Sequence, residues 1–149
     1  MSTPTIRALT PDECDALLAR GRVGRLAYAR DGRVDIEPLH YVYADGWIYG
    51  RTSPHGAKME ALGREWWPVA FEVDEVDDVF HWRSVVVHGG FYPLHEGGPA
   101  WEQARWRAGV ELLRGVIPQT LRDDDPVPGR TLVFRIAAQE VSGRGAEPG

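Results

Sequence analysis

Apolar and polar residues alternate along most of the chain with the period of two that is typical of β-strands. Turn-forming residues separate these runs, which predict six strands at 22–30, 33–44, 47–52, 69–74, 79–94 and 132–136. Asp31-Gly32 and Asp45-Gly46 fit two-residue hairpin turns, because glycine tolerates the positive φ that such turns require. The first three strands are therefore expected to form an antiparallel meander.

Three segments have helical signals instead. The run from Thr10 to Glu13 combines an N-cap hydroxyl, proline at the first helical position and a glutamate three residues after the cap, and predicts a helix ending near Gly21. Ser53-Pro54 opens a short helix to about residue 64, and apolar residues recur every three or four positions over 99–117. Because the strands follow one another rather than alternating with helices, the fold is expected to be mainly β, a closed or partly open antiparallel barrel with flanking helices.

The length of 149 residues fits one domain. We expect that domain to cover residues 1–141. Residues 142–149 are rich in glycine and contain Ala146 as their only apolar residue, which predicts a flexible C-terminal tail.

Charge and cysteine content exclude several classes of protein. The net charge is −5, from 17 basic and 22 acidic residues, with no basic stripe for a nucleic-acid backbone. No apolar run approaches the roughly 20 residues that cross a bilayer, so we expect a cytoplasmic protein without a membrane partner. The single cysteine, Cys14, excludes an internal disulfide and a multi-cysteine zinc site.

The segment from Arg51 to Lys58 is the strongest candidate for a binding site. It places the hydroxyls of Thr52 and Ser53 at a strand end, followed by a helix start and a cation one turn later. Hydroxyls, free N–H groups and cations together suit a phosphate group. The alternative is an ordinary capped helix with surface charges.

Other chemistry finds little support in the residue pattern. The five histidines have no ligand spacing, so no metal is expected, and no Gly-x-Ser-x-Gly elbow is present. No residue can therefore be assigned as catalytic, and the role of His40 stays open. Trp82 is either a core residue or the flank of a planar ligand.

Two motifs, together with their order along the chain, resemble those of the pyridoxamine 5'-phosphate oxidase-like superfamily of split-barrel flavoproteins. Thr52 and Lys58 have the spacing of a threonine and a lysine that bind the FMN phosphate in that superfamily. The strand 83–89 is similar to its Gln-Val-x-Val-x-Gly signature, with Ser84 in the glutamine position. The resemblance runs from about residue 9 to 143 and implies a six-stranded antiparallel split β-barrel that binds FMN.

The chain departs from the true oxidases of this superfamily. Gly56-Ala57-Lys58 replaces their Ser-Arg-Lys, so the resemblance implies that Arg51 compensates for a missing phosphate arginine. No tryptophan follows Trp106, where the oxidases carry a tryptophan that recognises pyridoxal phosphate. The shorter motif is similar to the subgroup of nitroimidazole-reductase-like proteins and flavin reductases, which implies that Pro38 and Leu39 lie beside the isoalloxazine ring.

The resemblance implies an FMN-binding oxidoreductase. It would pass electrons from NAD(P)H through the flavin to a small oxidised acceptor, such as a nitroaromatic or a quinone. The alternatives are a deazaflavin-dependent reductase and a non-catalytic flavin- or heme-binding module. A homodimer is expected as well, both from the resemblance and because Tyr41, Tyr43 and Trp47 make the middle strands too apolar for a free surface.

Overall fold

The computed structural model describes residues 3–62 and 67–149. Within these residues the chain forms eight strands and three helices. The strands are β1 (Thr5–Ala8), β2 (Val23–Arg30), β3 (Arg33–Ala44), β4 (Trp47–Thr52), β5 (Trp67–Asp78), β6 (His81–Leu94), β7 (Leu132–Ala137) and β8 (Glu140–Glu147). The helices are α1 (Pro11–Arg20), α2 (Ala57–Leu62) and α3 (Ala100–Arg114).

The local signals that predicted α1 and the hairpins are confirmed. Thr10 and Glu13 form a complete capping box at the start of α1. Asp31 and Gly32 both have positive φ, 49° and 77°, as the predicted two-residue turn requires. The helix predicted after Ser53-Pro54 begins at Ala57, and its expected end near residue 64 lies outside the described residues.

Six strands close into a ring, which confirms the predicted fold class. The hydrogen-bonded order is β1-β8-β6-β5-β2-β3-β4-β7, and an additional pairing of β6 with β7 completes the barrel. All these pairings are antiparallel. The strands β1 and β8 extend the sheet beyond the six of the ring. None of the described helices is long and apolar enough to span a membrane.

The predicted flexible tail over 142–149 is wrong, because residues up to Glu147 belong to β8. This strand pairs with β6 on one side and with β1 on the other. Glycine in this strand leaves room for neighbouring side chains that a Cβ atom would displace. A Cβ on Gly143 would lie 2.8 Å from the sulfur of Cys14 and 2.9 Å from Cδ1 of Leu9. The low apolar content of the segment therefore reflects close packing and backbone pairing rather than disorder.

The long strand β6 changes partner at the glycine pair that predicted a bend. Residues before Gly89 pair with β8, and residues after Gly90 pair with β7. A Cβ on Gly89 would lie 1.6 Å from the carbonyl oxygen of Ala137, which no side chain can occupy. Glycine is thus required where the chain passes between β7 and β8.

The barrel is split between β3 and β4. These strands pair only from Tyr41 and Gly50 to Ala44 and Trp47. On the other side of Tyr41, β3 pairs with β2 alone, and the last residues of β4 pair with β7. A gap therefore opens between the first half of β3 and the end of β4.

The aromatic residues that suggested an interface between two copies are largely engaged within the chain. Tyr41 is fully buried in the core, where its hydroxyl donates a hydrogen bond to the carbonyl of Leu18 at 2.8 Å. Tyr43 donates to Asp15, and the guanidinium of Arg135 lies 3.5 Å from the ring centroid of Trp47. These aromatics therefore give little support to a homodimer, which stays a prediction.

A buried ion pair fastens the segment after α3 to β4. The guanidinium of Arg51 donates to both carboxylate oxygens of Asp125, at 2.5 Å and 2.7 Å. The same carboxylate accepts the backbone N–H groups of Leu121 and Val127. Arg51 also donates to the carbonyl of Arg130 at 3.3 Å, so one side chain joins the strand to the loop between α3 and β7 at two points.

Replacing Gly89 by alanine is expected to destabilise the protein by about 2 kcal/mol or more, because the new methyl group collides with backbone rather than with a movable side chain. Gly97→Ala is the matched control, since no atom lies within 4 Å of the added Cβ. Denaturant unfolding of both variants measures the difference, and equal free energies of unfolding would contradict the close approach.

Asp125→Ala is expected to cost about 3 to 5 kcal/mol, because it leaves the Arg51 guanidinium buried without a partner. The hydrogen bonds from Arg51 hold the pKa of Asp125 well below its usual range. A depressed carboxyl pKa stabilises the fold above the unfolded value of about 3.9 and loses that effect as the pH falls.

The difference in unfolding free energy between wild type and Asp125→Ala should hence stay constant above about pH 5 and shrink below about pH 4. Asp123→Ala is the control, because this neighbouring carboxylate is exposed. A difference that grows on acidification would contradict the ion pair as described.

Candidate functional site

A cavity of about 490 Å³ lies in the gap between β3 and β4. Its size falls in the range of small-molecule sites. Five residues predicted from the sequence line it, namely Pro38, Leu39, Thr52, Ser53 and Lys58. Four lining residues were not predicted, namely Tyr28, Glu37, His55 and Arg130.

Thr52 contributes a hydroxyl to the cavity. The residue is 3% exposed and stands at the end of β4, where that strand has left β3. Its hydroxyl forms no hydrogen bond with any residue in 3–62 or 67–149. Because the residue lines an open cavity and the hydroxyl keeps its donor and acceptor sites, it can bind a polar group of a ligand.

Lys58 on α2 supplies the cation that the sequence predicted. Its side chain is 11% exposed and forms an ion pair with the carboxylate of Glu37 on β3. The ammonium group has three donors, so this pair leaves donors for a ligand. The pair also places a negative charge at the same wall of the cavity.

Three further lining residues contribute apolar or aromatic surface, namely Pro38, Leu39 and Tyr28. Leu39 is 4% exposed and Pro38 is exposed, and Tyr28 on β2 is 8% exposed. Burial, together with the carboxylates of Glu37 and Asp35, raises the pKa of the Tyr28 phenol, a group that is protonated at neutral pH even at its ordinary value. This surface can contact the face or edge of a planar ring while its phenol donates a hydrogen bond.

Arg51 does not line this cavity, contrary to its predicted role in binding phosphate. Adjacent residues of a strand point to opposite faces, so Arg51 turns away where Thr52 faces the cavity. Its guanidinium is committed to Asp125. The charge of Arg51 is therefore neutralised within the protein by Asp125.

Trp82 and Ser84 also lie outside the lining of the cavity. The hydroxyl of Ser84 donates to Glu72 at 2.9 Å, and Arg25 donates to the same carboxylate at 3.2 Å. Arg25 is paired in register with Pro38 on one side and with Glu72 on the other. Ser84 is thus on the outer sheet face that carries Pro38, but β5 and β2 separate its strand from β3.

The four unpredicted lining residues differ in how visible they are in sequence. Glu37 directly precedes Pro38, and His55 lies between Ser53 and Lys58, so both belong to segments already singled out. Tyr28 occupies a buried position of a predicted strand and has no distinguishing signal. Arg130 follows a loop beyond α3, and only its tertiary position brings it to the cavity.

The described residues hold no group of three histidine, cysteine, aspartate or glutamate side chains that is arranged for a metal ion. The cavity is lined by hydroxyl, ammonium and guanidinium side chains, which bind anions, and by two groups of metal-ligand type, Glu37 and His55.

Solved structures share this architecture. The chain is similar to a crystal structure of a FAD-binding protein from Mesorhizobium loti, with 30% identity, a TM-score of 0.74 and coverage of 96% of this chain and 99% of that one. The FAD-binding protein from Mycobacterium smegmatis has 24% identity, a TM-score of 0.67 and coverage of 94% and 98%.

A third structure is that of a putative 5-nitroimidazole antibiotic resistance protein from Bacteroides thetaiotaomicron, at 13% identity and a TM-score of 0.68, with coverage of 96% and 89%. The last two are similar in fold. The resemblance inferred from the two sequence motifs is confirmed at the level of the family. A family model described as pyridoxamine 5'-phosphate oxidase matches residues 10–145, and the chain therefore belongs to this family.

Proposed function

We propose that the protein binds a flavin nucleotide in the cavity between β3 and β4 and acts as an oxidoreductase. The electrons would come from NAD(P)H and pass to a small oxidised acceptor, such as a nitroaromatic or a quinone. The observation that carries the proposal is the hydroxyl of Thr52, which has no hydrogen-bond partner within 3–62 and 67–149 and belongs to a largely buried residue that lines the same cavity as Lys58.

The residues present fit both parts of a flavin nucleotide. Thr52, Ser53 and Lys58 offer hydroxyl and ammonium donors for a phosphate ester. Pro38, Leu39 and the ring of Tyr28 suit contact with a planar ring system. The relative from Mesorhizobium loti, at 30% identity over nearly the whole chain, is named as a FAD-binding protein, which supports a flavin as the ligand.

When bound, the flavin supplies the redox chemistry, so no side-chain nucleophile is needed. The chain's own residues bind and orient it. Thr52 and Lys58 fix the phosphate, and the wall formed by Pro38 and Leu39 sets the position of the ring. The phenol of Tyr28, which is protonated at neutral pH, is a lining group suited to donate a hydrogen bond to the ligand.

The absorption spectrum of the purified protein tests the cofactor, and steady-state oxidation of NADH and NADPH with a nitroaromatic or quinone acceptor tests the reaction. We expect flavin bands and acceptor-dependent turnover. A deazaflavin spectrum, a heme spectrum, or flavin binding without turnover would each replace the proposal with one of the alternatives. Mass spectrometry of the released cofactor separates FMN from FAD.

Lys58→Ala is expected to weaken binding of FMN by about 1.5 to 3 kcal/mol, the usual contribution of a charged hydrogen bond. The loss has two sources, since the variant removes a cation and leaves the carboxylate of Glu37 uncompensated beside the phosphate. Quenching of flavin fluorescence measures the dissociation constant.

Riboflavin is the control ligand, because it lacks the phosphate and should bind both proteins equally. Lys58→Ala with unchanged affinity for FMN would refute the phosphate role of this lysine. An equal loss for FMN and riboflavin would instead indicate that the cavity itself is disturbed.

We further propose that the protein forms a homodimer through the outer face of β2 and β3. Val34, Ile36 and Pro38 occupy every second position of β3 and therefore lie on one face of the sheet. Val34 is 74% exposed and Ile36 is 66% exposed. This apolar strip adjoins the open side of the cavity. A second copy over this face would cover the strip and enclose the flavin, which supports the dimer by a different set of residues from the core aromatics.

Ile36→Glu is expected to convert the dimer to a monomer at micromolar concentration, because it buries a charge in an apolar contact. Val79→Glu is the control, since Val79 is comparably exposed, at 73%, in the turn between β5 and β6. Light scattering coupled to size exclusion gives the mass. A monomeric wild-type protein with flavin bound would refute the proposed dimer.

A further inference from the structure

We propose that Arg130 binds the phosphate ester of the flavin nucleotide, as a second cation beside Lys58, and that the Arg51–Asp125 ion pair places it there. This inference rests on the proposed flavin-binding function. It assigns the missing phosphate arginine to a residue far from the sequence motif.

The first argument is the charge balance of the cavity. Lys58 is paired with Glu37, and both charges line the cavity. The attraction of Lys58 and the repulsion of Glu37 nearly cancel, so the pair exerts little net force on an anion in the cavity. A phosphate ester carries up to two negative charges, so a site with only this pair would be a poor phosphate site. The guanidinium of Arg130 makes the lining cationic.

The second argument is that the guanidinium of Arg130 has hydrogen-bond donors available for a ligand. Its side chain forms no ion pair or hydrogen bond with any residue in 3–62 or 67–149, although it is partly buried. By contrast, Arg7, Arg20, Arg25 and Arg114 all have carboxylate partners. A guanidinium offers five donors in a fixed fork that fits the oxygens of a phosphate.

The third argument is that the fold fixes the position of Arg130. Arg51, next to Thr52 on β4, donates to the backbone carbonyl of Arg130 and to the carboxylate of Asp125. Asp125 in turn holds the backbone of Leu121 and Val127. The loop is thereby fastened directly behind the strand that presents the Thr52 hydroxyl. Arg51 is a positioning residue, and Arg130 is the residue that contacts the ligand.

The test compares the affinities of wild type, Arg130→Gln and Arg130→Lys for riboflavin, FMN and FAD, measured by quenching of flavin fluorescence. Arg122→Gln is the matched control, because this arginine belongs to the same loop but does not line the cavity. Thermal unfolding of each variant checks that the fold is retained.

We expect Arg130→Gln to lose about tenfold or more in affinity for both FMN and FAD and none for riboflavin. Arg130→Lys should recover part of the loss, since it keeps the charge, and Arg122→Gln should bind like wild type. The result requires no turnover, so it is independent of the electron acceptor.

Unchanged affinity of Arg130→Gln for FMN would overturn the inference while leaving the proposed function standing. A loss confined to FAD would also overturn it, since Arg130 would then contact the second phosphate. An equal loss for all three flavins would show a general effect on the cavity instead. A wild-type protein that binds none of the flavins would overturn the proposed function and this inference together.

Discussion

The separation of β3 from β4 is the constraint on which the site depends. Beyond the pair of Tyr41 and Gly50, β3 continues with β2 while β4 continues with β7. The walls of the resulting gap are two strand segments whose facing side chains do not pack on each other. Ligand-binding groups can occupy this gap because closure of the ring elsewhere, through β6 and β7, already supplies the core. The gap between β3 and β4 is thus compatible with a stable barrel.

Two structural features stabilise the barrel around this gap. At the far side of the ring, Gly89 lets the connection between β7 and β8 pass against β6, so a single long strand serves two partners. At the near side, Arg51 and Asp125 fasten the loop after α3 to the end of β4. The first feature relies on the absence of a side chain. The second relies on a buried charge pair whose carboxylate also accepts two backbone N–H groups, which offsets the cost of desolvation.

The same ion pair changes the interpretation of the site's electrostatics. A basic residue next to a ligand-binding threonine suggests direct contact, yet strand geometry turns consecutive side chains to opposite faces. Arg51 therefore acts on the far side of β4, and the cavity receives Lys58 and Arg130 against Glu37. The acidic member of this set limits the net positive charge, so the attraction of the cavity for an anion depends on both cations.

Short-range patterns determined much of this protein. The capping box of α1, the two Asp-Gly hairpins and the six strands of the ring each depend on residues only a few positions apart, so the sequence specifies them directly. The spacing of Thr52 and Lys58 likewise spans one strand end and one short helix, and both line the cavity. Local backbone preferences and a motif of seven residues were sufficient for these features.

Only the tertiary structure decided the rest. The strand β8 contains few apolar residues, and its existence depends on backbone pairing with β6 and β1. The partner of Arg51 is Asp125, and the neighbour of Lys58 in the cavity is Arg130, each more than 70 residues away in the sequence. No periodicity or propensity encodes such pairs, because they arise when the closure of the ring brings distant segments of the chain together.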